Sequence, residues 1–336
     1  MNLRDIGEFG FIARVSRGCL IRPDNIIKAI GDDAAAFTTA PGAVTLITTD
    51  LLVERVHFLR HAIAGFDLGY KSLAVNLSDI AAMGGTAREA FVSLGIPENC
   101  ALEYLDEFYR GMQTLAEQYA VNILGGDTTG SKVDLIINVA VHGLVPPAEL
   151  LGRDGAKPGD IIFSTGFLGE SRAGLHLVLN DIRIDTPELE MLLRAHHRPE
   201  PQLREGRFLA QRPGVHAAID VSDGLSSDVG HILEASSVGA RLYAEKIPVS
   251  ASLADFCARF DFEPVDYALS GGEDYTLICT AAPEHADQLA ADFQKTFNRP
   301  LFAIGEITAT RQMELIYPDG RLASLTPSGW NHFKEK

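Results

Sequence analysis

Cysteine is scarce and scattered in this chain. Its four residues, Cys19, Cys100, Cys257 and Cys279, show no CxxC spacing, which argues against both a zinc site and a disulfide framework. No stretch approaches the roughly 20 apolar residues of a membrane span. The opening MNLRDIGEFG has no apolar signal-peptide region, so a cytoplasmic protein with no membrane partner is expected. Basic residues are in deficit: 29 Lys and Arg against 45 Asp and Glu give a formal net charge of -16. Without a basic stripe to neutralise a phosphate backbone, nucleic acid is disfavoured as a partner. Also missing are GxxxxGK[ST], GxGxxG after a strand and the GxSxG elbow. The common phosphate-cradling and hydrolase motifs therefore do not explain the glycines.

What remains is an ordinary globular composition, 336 residues and 46% hydrophobic, with room for two domains. Apolar spacing predicts a buried strand at 44–48 ending at Asp50, a helix over 67–83 and a strand at 90–94. A helix over 102–119 follows, with Leu105, Phe108, Met112 and Leu115 on one stripe, then a strand at 121–124 that stops at Gly125-Gly126-Asp127. A long strand at 135–145 runs into Pro146-Pro147 and the polar stretch LLGRDGAKPGD. This gives domains of 1–147 and 148–336. Strands are expected near 161–164, 216–221, 240–244, 275–280 and 301–304, with an extended pair at 313–323. The class is α/β or α+β, and a doubly wound or a mixed sheet is compatible with it.

Acidic residues recur in short clusters beside Gly, Ser or Thr: Asp32-Asp33, Asp50, Asp79, Asp127, Asp220 with Asp223, and Glu273-Asp274. Two carboxylates about 4 Å apart repel by roughly 4 kcal/mol at an effective dielectric near 20, so a fold that gathers them needs a counter-charge. A hard, oxygen-seeking divalent cation, above all Mg2+, fits, and it commonly bridges protein to phosphates. In IDVSDGLSSD a strand end at Val221 would lead into a helix near Gly224, with Ser222 as its cap and free N–H groups beside Asp220 and Asp223. In NLSDIAAMGG, Asn76 and Asp79 share a helix face next to Leu77 and Ile80, where an uncompensated carboxylate would be costly. Taken singly, GDD at 31–33 and GGD at 125–127 read as turns. The paired His196-His197, with His231 and His285, read as surface or core histidines.

Together GDDAA, TTDLLVERVHF, NLSDIAAMGG, GGDTT, DVSDGL and SGGEDY, running in order along nearly the whole chain, resemble the thiamine-monophosphate kinase family. The resemblance implies ATP-dependent phosphorylation of thiamine monophosphate to thiamine diphosphate, the last step of thiamine diphosphate biosynthesis. It also implies the two-domain fold of the aminoimidazole ribonucleotide synthetase superfamily. In that fold an N-terminal mixed-sheet domain forms a barrel across a homodimer, a C-terminal α/β domain follows, and ATP lies in a cleft between the domains. By the same resemblance several Mg2+ ions fall to Asp33, Thr48, Thr49, Asp50, Asp79, Asp127, Asp220 and Asp223. ATP falls to Tyr109, Gly126, Asp127, Arg153 and Ser222, and thiamine monophosphate to His57, Glu273 and Trp330, where the single Trp would stack on the substrate ring. One departure stands out. The family usually has Gly where this chain has Arg55, which puts the backbone beside His57 in question.

Direct phosphoryl transfer suits such a site, because a loose transition state needs positioning and charge neutralisation more than a protein nucleophile. Two other readings are a related ATP-using enzyme of aminoimidazole ribonucleotide or selenophosphate synthetase type, and a non-catalytic protein that binds metal for stability.

Overall fold

A computed structural model of the chain describes residues 3–30, 34–326 and 329. The chain divides into two compact units, one of residues 1–80 and 85–148 and one of residues 81–84 and 149–336.

The first unit runs α1 (Leu3–Val15), β1 (Ile26–Lys28), β2 (Ala36–Phe37), β3 (Val44–Val53), α2 (Gly65–Ala82), β4 (Thr86–Pro97), α3 (Leu102–Tyr119), β5 (Asn122–Ser131) and β6 (Ile136–Val145). Among the described residues β3-β6-β4-β5 form a mixed sheet, with β4 and β5 parallel and the other pairs antiparallel. Along β3 the side chains alternate. Leu46 and Leu52 are buried, whereas Ile47 is 76% and Leu51 53% exposed, as expected of a sheet covered on one face. Helix α2 covers that face, since a Cβ on Gly143 of β6 would meet the Ile80 side chain. The α2–α3 crossing is backbone to backbone: a Cβ on Gly69 would lie 1.7 Å from the Phe108 carbonyl oxygen, and one on Gly111 1.8 Å from that of Phe66. The stripe predicted on α3 is the face that packs, with Leu105, Phe108, Met112 and Leu115 all buried.

Two expectations are corrected here. The strand predicted to end at Asp50 continues to Val53, and Gly125-Gly126-Asp127 is no turn but the middle of β5. Gly126 has φ 153 beside a register shift between Ala90 and Phe91. A Cβ there would sit 1.7 Å from the Val92 carbonyl oxygen. The glycines serve a bulge and a close strand approach, not a reversal.

The second unit comprises β7 (Ile161–Ser164), α4 (Glu170–Leu179), α5 (Pro187–His197), α6 (Leu203–Ala210), β8 (Val215–Asp220), α7 (Leu225–Ser236), β9 (Gly239–Tyr243), α8 (Ala251–Phe260), α9 (Pro264–Ser270), β10 (Leu277–Ala281), α10 (Pro283–Phe297), β11 (Phe302–Thr308), β12 (Met313–Ile316) and β13 (Leu322–Ser324). Its sheet has the order β13-β12-β9-β11-β7-β10-β8. Among the described residues only the β12–β9 pair is parallel, so the sheet is mixed and not doubly wound. Ile162, Ile219, Leu242, Ile278 and Ile304 from five strands join Leu225 and Ile232 of α7 in one core. A second core of Leu177, Leu192, Leu253 and Phe256 binds α4, α5 and α8 together. Among the described residues no helix is long and apolar enough to cross a membrane.

Candidate functional site

In the first unit the TTD segment is carried by β3. Thr48 and Asp50 point to the α2 side and Thr49 to the other, as the period of two requires. The Thr48 hydroxyl donates to Asp79 Oδ2, tying the strand to α2. One turn before Asp79, Asn76 is fully buried and donates to the Ser72 carbonyl at 3.2 Å, while its Oδ1 has no hydrogen-bond partner. A buried amide oxygen without a donor is costly. The Thr48 and Asp79 oxygens, which meet directly, are of the chemical type that a hard divalent cation takes. Asn138 on β6 donates to Thr49 Oγ1 at 2.9 Å and to the Asp50 carbonyl at 3.1 Å, a support that the sequence reading missed.

The structure does not bring every expected ligand of this unit together. Asp50 and Asp127 lie on the opposite edge strands β3 and β5, about 14 Å apart at the usual strand spacing. Asp127 is exposed, and its Oδ1 accepts from the Thr128 amide at 2.9 Å. Tyr109 is buried on α3 with edge-on contacts to Phe11 and Phe108, and burial pushes its phenol well above the usual tyrosine value.

His57 sits in a tight turn after β3. The Val53 amide donates to His57 Nδ1 at 3.0 Å, and the Arg55 amide to the Phe58 carbonyl at 2.7 Å. In a neutral ring Nε2 then carries the proton. Arg55 has φ 68, the left-handed region that glycine adopts without strain. Its guanidinium is anchored by Asp134 through two contacts of 2.8 Å. The Arg thus holds, with the strain a side chain meets there, a conformation that suits glycine.

In the second unit Asp220 ends β8, buried and paired with Leu277. Ser222 does not cap the following helix, as was expected. The N-cap of α7 is Gly224, with φ 120 and no side-chain cap. Its role is taken by Asp228, whose Oδ2 accepts from the amides of Asp223 (3.1 Å) and Gly224 (3.0 Å). The carboxylate reaches back from the first turn much as the acidic member of a capping box does. Burial, then the neighbouring Asp220 and Asp223, push Asp228 up to about 7. Asp223, Asp228 and His231 offer ligand atoms all within 4.8 Å of one another. The four-residue step from Gly224 to Asp228 was the available sequence signal for this residue, and it was passed over.

The loop after α9 closes on this strand end. The Glu273 amide donates to the Ser222 carbonyl and the Tyr275 amide to that of Val221, each at 2.8 Å. A Cβ on Gly272 would fall 2.5 Å from the Ser222 carbonyl oxygen, so DVSDGL and SGGEDY are one structural element. Glu273 and Tyr275 have φ 63 and 50, and two non-glycine residues in this region mark stored strain. Asp274 between them accepts from the amides of Gly169 (2.7 Å) and Ser171 (3.2 Å) at the start of α4. Burial pushes its carboxyl up to about 8, against the pull of those two donors. Arg153 is exposed, and its carbonyl accepts from Ser236 Oγ at 2.8 Å. Asp33 and Trp330 lie outside the described residues.

The fold and these oxygen-rich strand ends define a class. Family models for "AIR synthase related protein" match residues 31–145 with the N-terminal domain and 157–318 with the C-terminal domain. Within that class, curated thiamine-monophosphate kinases from Aquifex aeolicus and Haemophilus influenzae are similar. The first is 34% identical, covering 99% of this chain and all of its own, and the second 37% identical, covering 98% and 99%. The crystal structure of thiamine-monophosphate kinase from Stenotrophomonas maltophilia K279a has a TM-score of 0.83 at 36% identity, covering 95% of this chain and 98% of its own. A structure described as AaThiL complexed with AMPPCP and TMP has a TM-score of 0.79 at 32% identity, covering 99% of both chains. The chain belongs to the thiamine-monophosphate kinase family.

Proposed function

We propose that the protein transfers the γ-phosphoryl group of ATP to thiamine monophosphate, giving thiamine diphosphate and ADP, in the cytoplasm and as the last step of thiamine diphosphate biosynthesis. The observation that carries this reading is the likeness, over 99% of both chains, to a protein solved with AMPPCP and TMP. Residues 1–147 are assigned to ATP and Mg2+ binding and to dimerisation, and residues 148–336 to the remaining site residues. The exposed Ile47 and Leu51 on the uncovered sheet face support a homodimer closed at that face, because contiguous exposed apolar surface marks an interaction site.

Mg2+ is assigned to Asp33, Thr48, Thr49, Asp50, Asp79, Asp127, Asp220 and Asp223. When bound it would neutralise phosphate oxygens as charge moves in the transition state. The chain's own part is to hold those oxygens still. Thr48 fixes the Asp79 carboxylate, Asn138 fixes Thr49, and Asp228 fixes the Asp223–Gly224 turn. Gly126, Asp127, Arg153, Ser222 and Tyr109 are assigned to the nucleotide, although Tyr109 is buried on α3. His57, Glu273 and Trp330 are assigned to thiamine monophosphate. The acceptor is a phosphate already ionised near neutral pH, so no general base or covalent nucleophile is assigned.

The test is acceptor dependence. ADP release measured with thiamine monophosphate, with thiamine and with no acceptor should rise only in the first case. Equal release in all three would redirect the search to another acceptor.

A further inference from the structure

Glu273 is held by a residue that no motif pointed to. His196, 5% exposed, lies in the last turn of α5, and its Nδ1 lies 3.2 Å from Glu273 Oε2 and 3.0 Å from Ser171 Oγ. The contact exists because α5 approaches α4 very closely: a Cβ on Gly174 would lie 2.3 Å from the Leu192 carbonyl oxygen and 2.7 Å from His196 Cβ. An ionised carboxylate only accepts, so Nδ1 carries the proton and donates to Glu273. Ser171, also buried, sits at the junction. Its amide donates to Asp274 Oδ1 and its hydroxyl meets the imidazole. Neighbouring Glu273 and Asp274 are therefore both tethered to the packed α4–α5 pair. One is reached through the His196 ring and the other through two amides of the α4 start, while Glu273 and Tyr275 on either side of Asp274 hold strained left-handed backbone.

We propose that His196 is a positioning residue for acceptor recognition: its Nδ1–H fixes the rotamer of Glu273, so that the carboxylate meets the cationic ring system of thiamine monophosphate preorganised. This rests on the assignment of Glu273 to the acceptor. A carboxylate free to rotate would have to be ordered by the substrate, and that cost falls on acceptor affinity and not on the nucleotide. Ser171 assists by holding the imidazole plane.

The experiment is a comparison of KM for thiamine monophosphate with KM for ATP in His196→Ala, His196→Asn, Ser171→Ala and Glu273→Ala. Loss of one charge-assisted hydrogen bond is expected to raise KM for thiamine monophosphate about tenfold in His196→Ala, with KM for ATP changed less than twofold. Asn places an amide N–H near the position of Nδ1–H, so His196→Asn should recover most of the loss. His196→Ala combined with Glu273→Ala should be no worse than Glu273→Ala alone. If Glu273→Ala raises the acceptor KM and both His196 variants leave it unchanged, the positioning role is overturned while the assignment of Glu273 stands. If Glu273→Ala itself leaves it unchanged, that assignment is what fails. Should His196→Ala not fold, Ser171→Ala and His196→Asn carry the comparison: an acceptor KM raised at least twofold in Ser171→Ala and lower in His196→Asn than in Glu273→Ala supports the proposal. Equal rises in both KM values would contradict it.

Discussion

Replacing Gly69 by Ala tests how Asp79 is put in place. The added Cβ would lie 1.7 Å from the Phe108 carbonyl oxygen, against 3.4 Å or more for ordinary contact. The helices α2 and α3 must then separate by about 1.5 Å, because neither atom belongs to a flexible side chain. Alanine gains about 1 kcal/mol in helix propensity over glycine. Overpacking of this kind typically costs 1–3 kcal/mol and more when backbone must move. Separation also loosens Leu73, Leu77, Leu105 and Met112, all fully buried. A net loss of about 2–3 kcal/mol is expected, which for a chain of this size lowers Tm by roughly 5–10 °C. Asp79 rides on the same helix, so a shift approaching 1 Å should weaken its bond to Thr48 and reduce turnover by at least about tenfold. Thermal melts followed by circular dichroism, with kcat measured below the transition, read both effects. Gly130→Ala is the control, since a Cβ there meets nothing within 4 Å. A Gly69→Ala protein that melts within 1–2 °C of the parent would refute the close crossing.

Asp79→Asn and Asp220→Asn should each lower kcat more than tenfold with a folded protein by circular dichroism; near-normal turnover in both would remove these carboxylates from the metal assignment. Arg55→Gly should leave the acceptor profile unchanged, since φ 68 already suits glycine, and an altered preference measured across thiamine phosphate analogues would give the Arg55 side chain a direct role. Asp274→Asn should change the pH dependence of stability. The folded carboxyl titrates near 8 through burial and the nearby Glu170 and Glu273, and the unfolded one near 3.9. Between those values the unfolded state has lost a proton that the folded state keeps, so this group's contribution falls as pH rises from about 4 to 8. The ceiling is about 6 kcal/mol, and the partial exposure of the residue lowers it. The stability of Asp274→Asn relative to the parent should therefore rise from pH 5 to pH 8 in urea melts, and a constant difference would contradict the assignment.

Helix α3 was legible to its end residues because its apolar stripe coincides with the face that packs on α2. The continuation of β5 through Gly125-Gly126-Asp127 was not, because a glycine used for close strand approach looks in sequence like one used for a turn. The carboxylates could be found as motifs, each being local in the chain. Asp228 and His196 escaped for different reasons. Asp228 acts on backbone amides, and its only trace in the sequence is its four-residue step from Gly224, which is too weak to single it out. His196 meets Glu273 across 77 positions, and only the Gly174-mediated packing of α4 on α5 brings them together. Ser222 was misread as a helix cap because local propensity favoured it, whereas the folded loop gave that work to Asp228.

The most direct measurement follows the phosphorus itself. A 31P NMR time course of the purified protein with ATP, Mg2+ and thiamine monophosphate should show thiamine diphosphate and ADP rising together in equal amounts, with no turnover once a chelator is added and recovery on restoring Mg2+. Formation of ADP and inorganic phosphate without thiamine diphosphate, or turnover indifferent to the chelator, would contradict the account.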